Sequence, residues 1–122
     1  MRFKDYFSND FETMDDHYIP ELKTRYYRTD NTKAKEAVMD LIEHEKGKVK
    51  DVIDQYNEVF FQGPNYTCII TVITTRIAET AIDIKITTYK MIPRGYGKKV
   101  IERMYKYLDS RLPFKGVSLY RG

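Results

Sequence analysis

The chain reads as an α+β domain: a two-layer sandwich in which an antiparallel meander sheet of four or five strands carries two main helices on one face. Three observations point there. Ile82, Ile84 and Ile86 alternate with Asp83, Lys85 and Thr87, the period-two pattern of a strand with one buried and one wet face. Ala34, Ala37, Val38, Leu41 and Ile42 recur at the spacing of a single helical face. Turn-forming stretches such as Gly63-Pro64-Asn65 separate successive strand-like runs, and short links favour antiparallel neighbours.

Taken in order, the elements begin with Phe3, Phe7, Phe11, Met14 and Tyr18, which fall on one helical stripe with acids opposite. Residues 1–20 are therefore expected to form an amphipathic helical segment, a docking or oligomerisation arm ahead of a single domain over 21–122. Residues 22–29 read as a strand with little facial preference, at an edge where its charges deter unwanted pairing. Asp30-Asn31-Thr32 offers a cap for a helix over 32–46, and Gly47 offers its stop. Residues 48–54 and 57–62 read as two short strands or one bent strand. Strands over 66–77 and 80–92 follow, the first placing Ile69 and Ile73 on a face shared with Asp83, Lys85, Thr87 and Tyr89. That face is neither cleanly polar nor cleanly apolar, which suits cover by the N-terminal segment or by another subunit. The second helix spans 97–112, with Val100, Ile101, Met104, Tyr105, Tyr107 and Leu108 inward, and Pro113 ends it. The tail offers a short strand through Val117, Leu119 and Tyr120.

Composition bounds the function classes. The chain has 122 residues, 42% hydrophobic and 32% charged, enough for one core that buries roughly two-thirds of the unfolded surface. A single cysteine, Cys68, excludes an intrachain disulfide and fits a reducing compartment. The first residues lack the apolar core of a signal peptide, and no run approaches the ~20 apolar residues of a spanning helix, so a soluble, cytoplasmic protein away from membranes is expected. Eleven tyrosines and six phenylalanines are first a packing resource, and second a lining for rims. Residues 1–20 carry five acids against two bases, and residues 93–122 carry eight bases against two acids. The asymmetry favours an acidic segment folding back on a basic one, ahead of an anionic partner for the C-terminal part.

The sharpest motif is Arg94-Gly95-Tyr96-Gly97-Lys98-Lys99, between a strand and a helix. Helix N-termini attract anions, glycines let a phosphate approach the backbone, and lysines add charge. The Walker pattern fails because Lys99 stands where Ser or Thr is required, and the dinucleotide fingerprint is absent. The same junction is similar to the coenzyme A pyrophosphate loop of the N-acetyltransferase superfamily: Arg94 and Gly97 fit, whereas Lys99 replaces a small residue. The resemblance implies a phosphate-bearing ligand held by Arg94, Gly95, Gly97, Lys98 and Lys99, with acetyl transfer as the activity. It spans about six residues, and no family is assigned from it.

Other chemistry is sparse. His44 with Asp40, and His17 after Asp15-Asp16, have no third or fourth ligand at metal-binding spacing, so no metal is expected. Cys68 and the two histidines form no nucleophile–base–orienter set, and neither catalytic residues nor a cofactor are expected. Asp51, Asp54 and Glu58 are the carboxylates closest in sequence for acid–base pairing, and a solvated turn explains them as well. Arg94, Lys98, Lys99, Arg103, Lys106 and Arg111 form a basic surface diluted by Glu102 and Asp109, which leaves nucleic acid a minor reading. The favoured expectation is a non-enzymatic binding or self-association module. Its partner, another copy or a small amphipathic or anionic ligand, meets a face formed by Phe3, Phe7, Phe11, Ile69, Ile73 and Tyr89, or the groove between sheet and helices. The alternative is a binder of a coenzyme A-like or other anionic ligand, or of nucleic acid, through residues 94–99 and the last helix.

Overall fold

One long hairpin organises the sheet. β5 (Tyr66–Arg76) and β6 (Glu79–Thr88) pair antiparallel from Tyr66↔Thr88 to Arg76↔Glu79. Cys68, Ile70 and Val72 lie opposite Ile86, Ile84 and Ile82, and all six side chains are buried. The computed structural model describes residues 10–89 and 95–117. Over these, β1 (Asp10–Glu12), β2 (Arg25–Tyr27), β3 (Lys48–Ile53), β4 (Glu58–Gln62) and β7 (Phe114–Val117) complete a seven-stranded antiparallel sheet. The order is β3-β4-β5-β6-β2-β7, with β1 also against β6. α1 (Asn31–His44) and α2 (Tyr96–Arg111) bring Val38, Leu41, Ile101 and Met104 into the same core cluster as the isoleucines, so both helices cover one face. The α+β class and the antiparallel meander through β3–β6 match the pattern read from the sequence.

Three expectations are corrected. The sheet has seven strands rather than four or five. The N-terminal amphipathic helix does not form over residues 10–18: Asp10–Glu12 is a strand, Phe11 points into the core, and Met14 and Tyr18 are exposed. The reason is long-range, since Lys85–Thr87 of β6 present backbone groups that β1 pairs. Phe3 and Phe7 lie outside the described residues, as does Arg94. The strand expected at an edge near residues 22–29 lies instead between β6 and β7 as β2, after a single 3₁₀ turn at Pro20–Leu22.

Local chemistry sets the boundaries. Asp30 caps α1 by accepting from the Lys33 N–H at 2.8 Å. At the other end it is Lys46, not Gly47, that adopts the left-handed backbone, with φ of 57°. Gly47 is needed for space: a Cβ there would stand 2.6 Å from the Phe61 ring.

β1 and β2 share one edge of β6, β1 along Lys85–Thr87 and β2 along Thr80–Ile82. Between them the chain leaves the sheet in a loop whose neck is closed by Met14 N–H to Leu22 O and Thr24 N–H to Met14 O, each 3.1 Å. The loop returns Ile19 and Leu22 to the core. Its departure would leave β6 backbone groups unpaired, and side chains take their place. Ile84 N–H donates to the Thr13 hydroxyl at 2.9 Å, and the Ile82 carbonyl accepts from the Tyr105 hydroxyl of α2 at 2.8 Å. The hydroxyls of Thr13 and Thr24 both donate to one oxygen of Asp83, at 2.6 and 2.5 Å. Burial pushes the Asp83 carboxyl above its ordinary 3.8 despite those two donors, and nearby Asp15 and Glu12 push the same way.

Asp83→Ala strands both hydroxyls and is expected to cost about 1–3 kcal/mol. Asp83→Asn keeps an acceptor oxygen and removes the buried charge, so its cost is expected to be smaller. Because the folded-state value is raised, the folded protein takes up this proton before the unfolded chain does as pH falls. Ionised Asp83 therefore opposes folding near neutrality, and that opposition fades on acidification. Urea unfolding at a series of pH values is expected to show wild type gaining on Asp83→Asn as the solution approaches the raised value; a constant difference would refute this.

Candidate functional site

The junction before α2 is placed in part. Gly95 precedes the helix with φ of 73°, a conformation that glycine adopts without a Cβ penalty. Gly97 is buried, and a Cβ at that position would lie 2.6 Å from Cδ2 of Phe11. Thus β1 packs directly beneath the first turn of α2. The Lys98 ammonium bonds Glu102 one turn along and lies 3.6 Å from Glu21 of the excursion loop. Burial would lower its pKa, but the two carboxylates hold it above its usual 10.5. Lys99 is exposed. An anion arriving at Lys98 has two carboxylates to displace.

The residues expected at an interaction face divide. Phe11 fills its own domain's core. Ile69 and Ile73 lie on the sheet face away from the helices, where Ile69 pairs across with Phe60 and Lys85, and Ile73 is exposed. Tyr89 is exposed beyond the end of β6.

Buried charge is consumed structurally. Glu45, whose side chain is only 4% exposed, receives Arg103 in a two-point contact at 2.9 and 2.6 Å and the Tyr66 hydroxyl at 2.7 Å. Burial would raise the Glu45 carboxyl, yet these donors hold it below 4.5. Asp109 of α2 accepts from Arg25 at 2.7 and 3.2 Å and from the Tyr27 hydroxyl at 2.8 Å. Cys68 is buried with its thiol pushed up by desolvation and then by Glu45, the opposite of an activated nucleophile. His44 stacks on Tyr107 at 4.7 Å, and His17 Nδ1 accepts from the Ile19 N–H at 3.0 Å. Among the described residues, no buried side-chain nitrogen or oxygen lacks a hydrogen-bond partner.

Two of the surface concavities among the described residues bear on binding. One, of about 570 Å³, lies between the loop before α1 and the end of α2, and mixes Arg28, Lys33 and Arg111 with Asp30 and Asp40. The other, of about 260 Å³, lies between α1 and the β3–β5 side of the sheet. Met39, Val52, Val59 and Val72 line it, with Lys35, Asp54, Asn57 and Glu58 beside them. Met39 sits next to the main stripe of α1 and widens the apolar face of that helix toward β3. Sequence reasoning named the sheet–helix groove but not these residues.

No protein-family model matches the chain, and no characterised protein matches it in sequence. No helix among the described residues is long and apolar enough to cross a membrane.

Gly97→Ala is expected to destabilise the fold by about 1–3 kcal/mol, because its methyl group meets the Phe11 ring. Combining it with Phe11→Leu, which shortens the opposing side chain, is expected to cost less than the two single changes added together. Denaturant unfolding of the four proteins of this cycle measures the difference; strict additivity would show that the two residues do not touch.

Proposed function

We propose that the protein is a non-enzymatic interaction module that receives an apolar group of a partner in the groove between α1 and the sheet. The observation that carries this reading is the pairing of exposed Met39 (44%) and Val52 (49%) with an inner wall of Val59 and Val72. Covering such a surface is favourable by roughly 25 cal/mol per Å² of apolar area removed from water. Concave, mostly apolar sites with a few polar groups at hand are where ligands and partner side chains bind. At about 260 Å³ the groove falls below the ~300–1,000 Å³ of sites for drug-sized molecules. It suits one large side chain rather than a cofactor. Lys35, Asp54 and Glu58 add charges of both signs beside it, which serve to orient a polar backbone.

The carboxylates of the interior and its margin support binding over bond-making chemistry, since Glu45, Asp109 and Asp83 are each held by structural donors. An anionic ligand at the start of α2 is the weaker reading, because Lys98 already faces Glu102 and Glu21.

A methyl-detected NMR titration with N-acetyl-leucine methylamide, a model of one apolar side chain on a peptide, tests the proposal. Saturable shifts confined to the methyls of Met39, Val52, Val59 and Val72 are expected, and Met39→Asp is expected to abolish them with the remaining spectrum retained. Non-saturating shifts, or shifts centred on Ile69 and Ile73, would overturn the groove as the binding surface.

A further inference from the structure

We infer that two copies of this chain join through β3, antiparallel about a two-fold axis passing between Lys50 and Asp51. The inference goes beyond the groove reading and does not require it. β3 stands at the end of the sheet order, so one side of its backbone has no strand beside it among the described residues. Residues 48–52 are all exposed, including Val49 at 40%.

Edge strands are normally guarded by charges and bulges, and β3 has both: Lys48, Lys50 and Asp51, with a register shift between Val49 and Asp51. These features deter a foreign strand, yet they complement a second β3. The bulge brings Val49 and Val52 to the same face, because Val49 lies opposite Phe61 and Val52 opposite Val59, both members of the core cluster. Lys48 and Ile53 lie opposite Gln62 and Glu58, on the other face.

Set Lys50 opposite Asp51 of a second, antiparallel β3, and the remaining pairs follow. Val49 meets Val52 of the second copy, and Lys48 meets its Ile53. These flanking pairs join side chains of one face, as antiparallel pairing requires. The two-fold axis repeats each pair, giving two Lys–Asp contacts and two Val–Val contacts in a self-complementary interface. A slide of one residue in either direction brings Lys50 against its own copy, or Asp51 against its own copy, and like charges directly opposite are unfavourable. The charge pattern therefore disfavours the two neighbouring registers. The same axis sets both α1 helices on one side of the joined sheet.

Light scattering coupled to size-exclusion chromatography at high protein concentration reads the result. Wild type is expected at the mass of two chains. Asp51→Lys and, independently, Lys50→Asp are each expected at the mass of one chain, with circular dichroism unchanged because both residues are exposed. The double variant Lys50→Asp/Asp51→Lys exchanges the charges and is expected to return to two chains. Wild type at the mass of one chain, single variants that remain at two, or a double variant that stays at one would overturn the inference. Neither residue lines the groove, so that failure would leave the leucine-amide titration standing, and failure of the titration would leave the mass measurement standing.

Discussion

The structure depends on how one strand edge is shared. β6 offers a continuous row of backbone donors and acceptors, but its neighbour on that side comes in two pieces, β1 and β2, with a loop between them. A buried strand cannot leave such groups unpaired, because each costs about as much as a lost hydrogen bond. Thr13 lends a hydroxyl where a ladder carbonyl would have been, and Tyr105 reaches from α2 to the Ile82 carbonyl. The repair ties together the N-terminal strand, the central hairpin and the last helix. Much else follows from it. With β1 fixed there, Phe11 lies under Gly97. With the loop neck closed, Leu22 reaches the core and Glu21 comes within range of Lys98.

The ion pairs then fix the helices unequally. α2 is held near its middle by Arg103 to Glu45 and near its C-terminus by Asp109 to Arg25. The same Glu45 contact holds α1 just beyond its own C-terminal end. Only Glu45 is buried in these contacts, Arg103 being half exposed and Arg25 and Asp109 partly so; such pairs add little net stability and serve mainly to favour one arrangement of the helices. The flank of α1 that carries Lys35 and Met39 meets β3 across aliphatic side chains, and there the groove opens. This side of the domain joins a terminal strand to two exposed valines, Val49 and Val52, and both proposed readings gather there.

What was legible in the sequence followed local periodicity. The isoleucines of β6 and the stripe of α1 each repeat over enough residues to declare a face. β1 is three residues long, too short for Asp10-Phe11-Glu12 to outweigh a helical spacing that Phe11, Met14 and Tyr18 also satisfy. What decides it is the unpaired edge of β6, some seventy residues away in the chain. The residues lining the groove escaped for a related reason. In Lys48-Val49-Lys50-Asp51-Val52-Ile53 the bulge breaks the two-residue alternation, so the shared side of the two valines does not show until β4 sets the register. Of the 94–99 junction, the Lys98–Glu102 contact is visible in sequence as an i, i+4 pair, whereas Glu21 is brought there only by the loop.

The tyrosines bear on the proposed aliphatic surface. A chain rich in tyrosine invites the reading that their rings form a recognition rim. Three of the buried ones do something else: the hydroxyls of Tyr27, Tyr66 and Tyr105 donate to Asp109, Glu45 and the Ile82 carbonyl. Burial raises all three phenols above their usual range, which favours the protonated, donating form. Phenylalanine in these positions would fill the same space and leave a buried carboxylate or carbonyl short of a partner. These three rings are therefore committed to satisfying interior acceptors. Met39, Val49 and Val52, by contrast, are exposed apolar side chains with no strong hydrogen-bonding groups to satisfy, and they lose only water when covered.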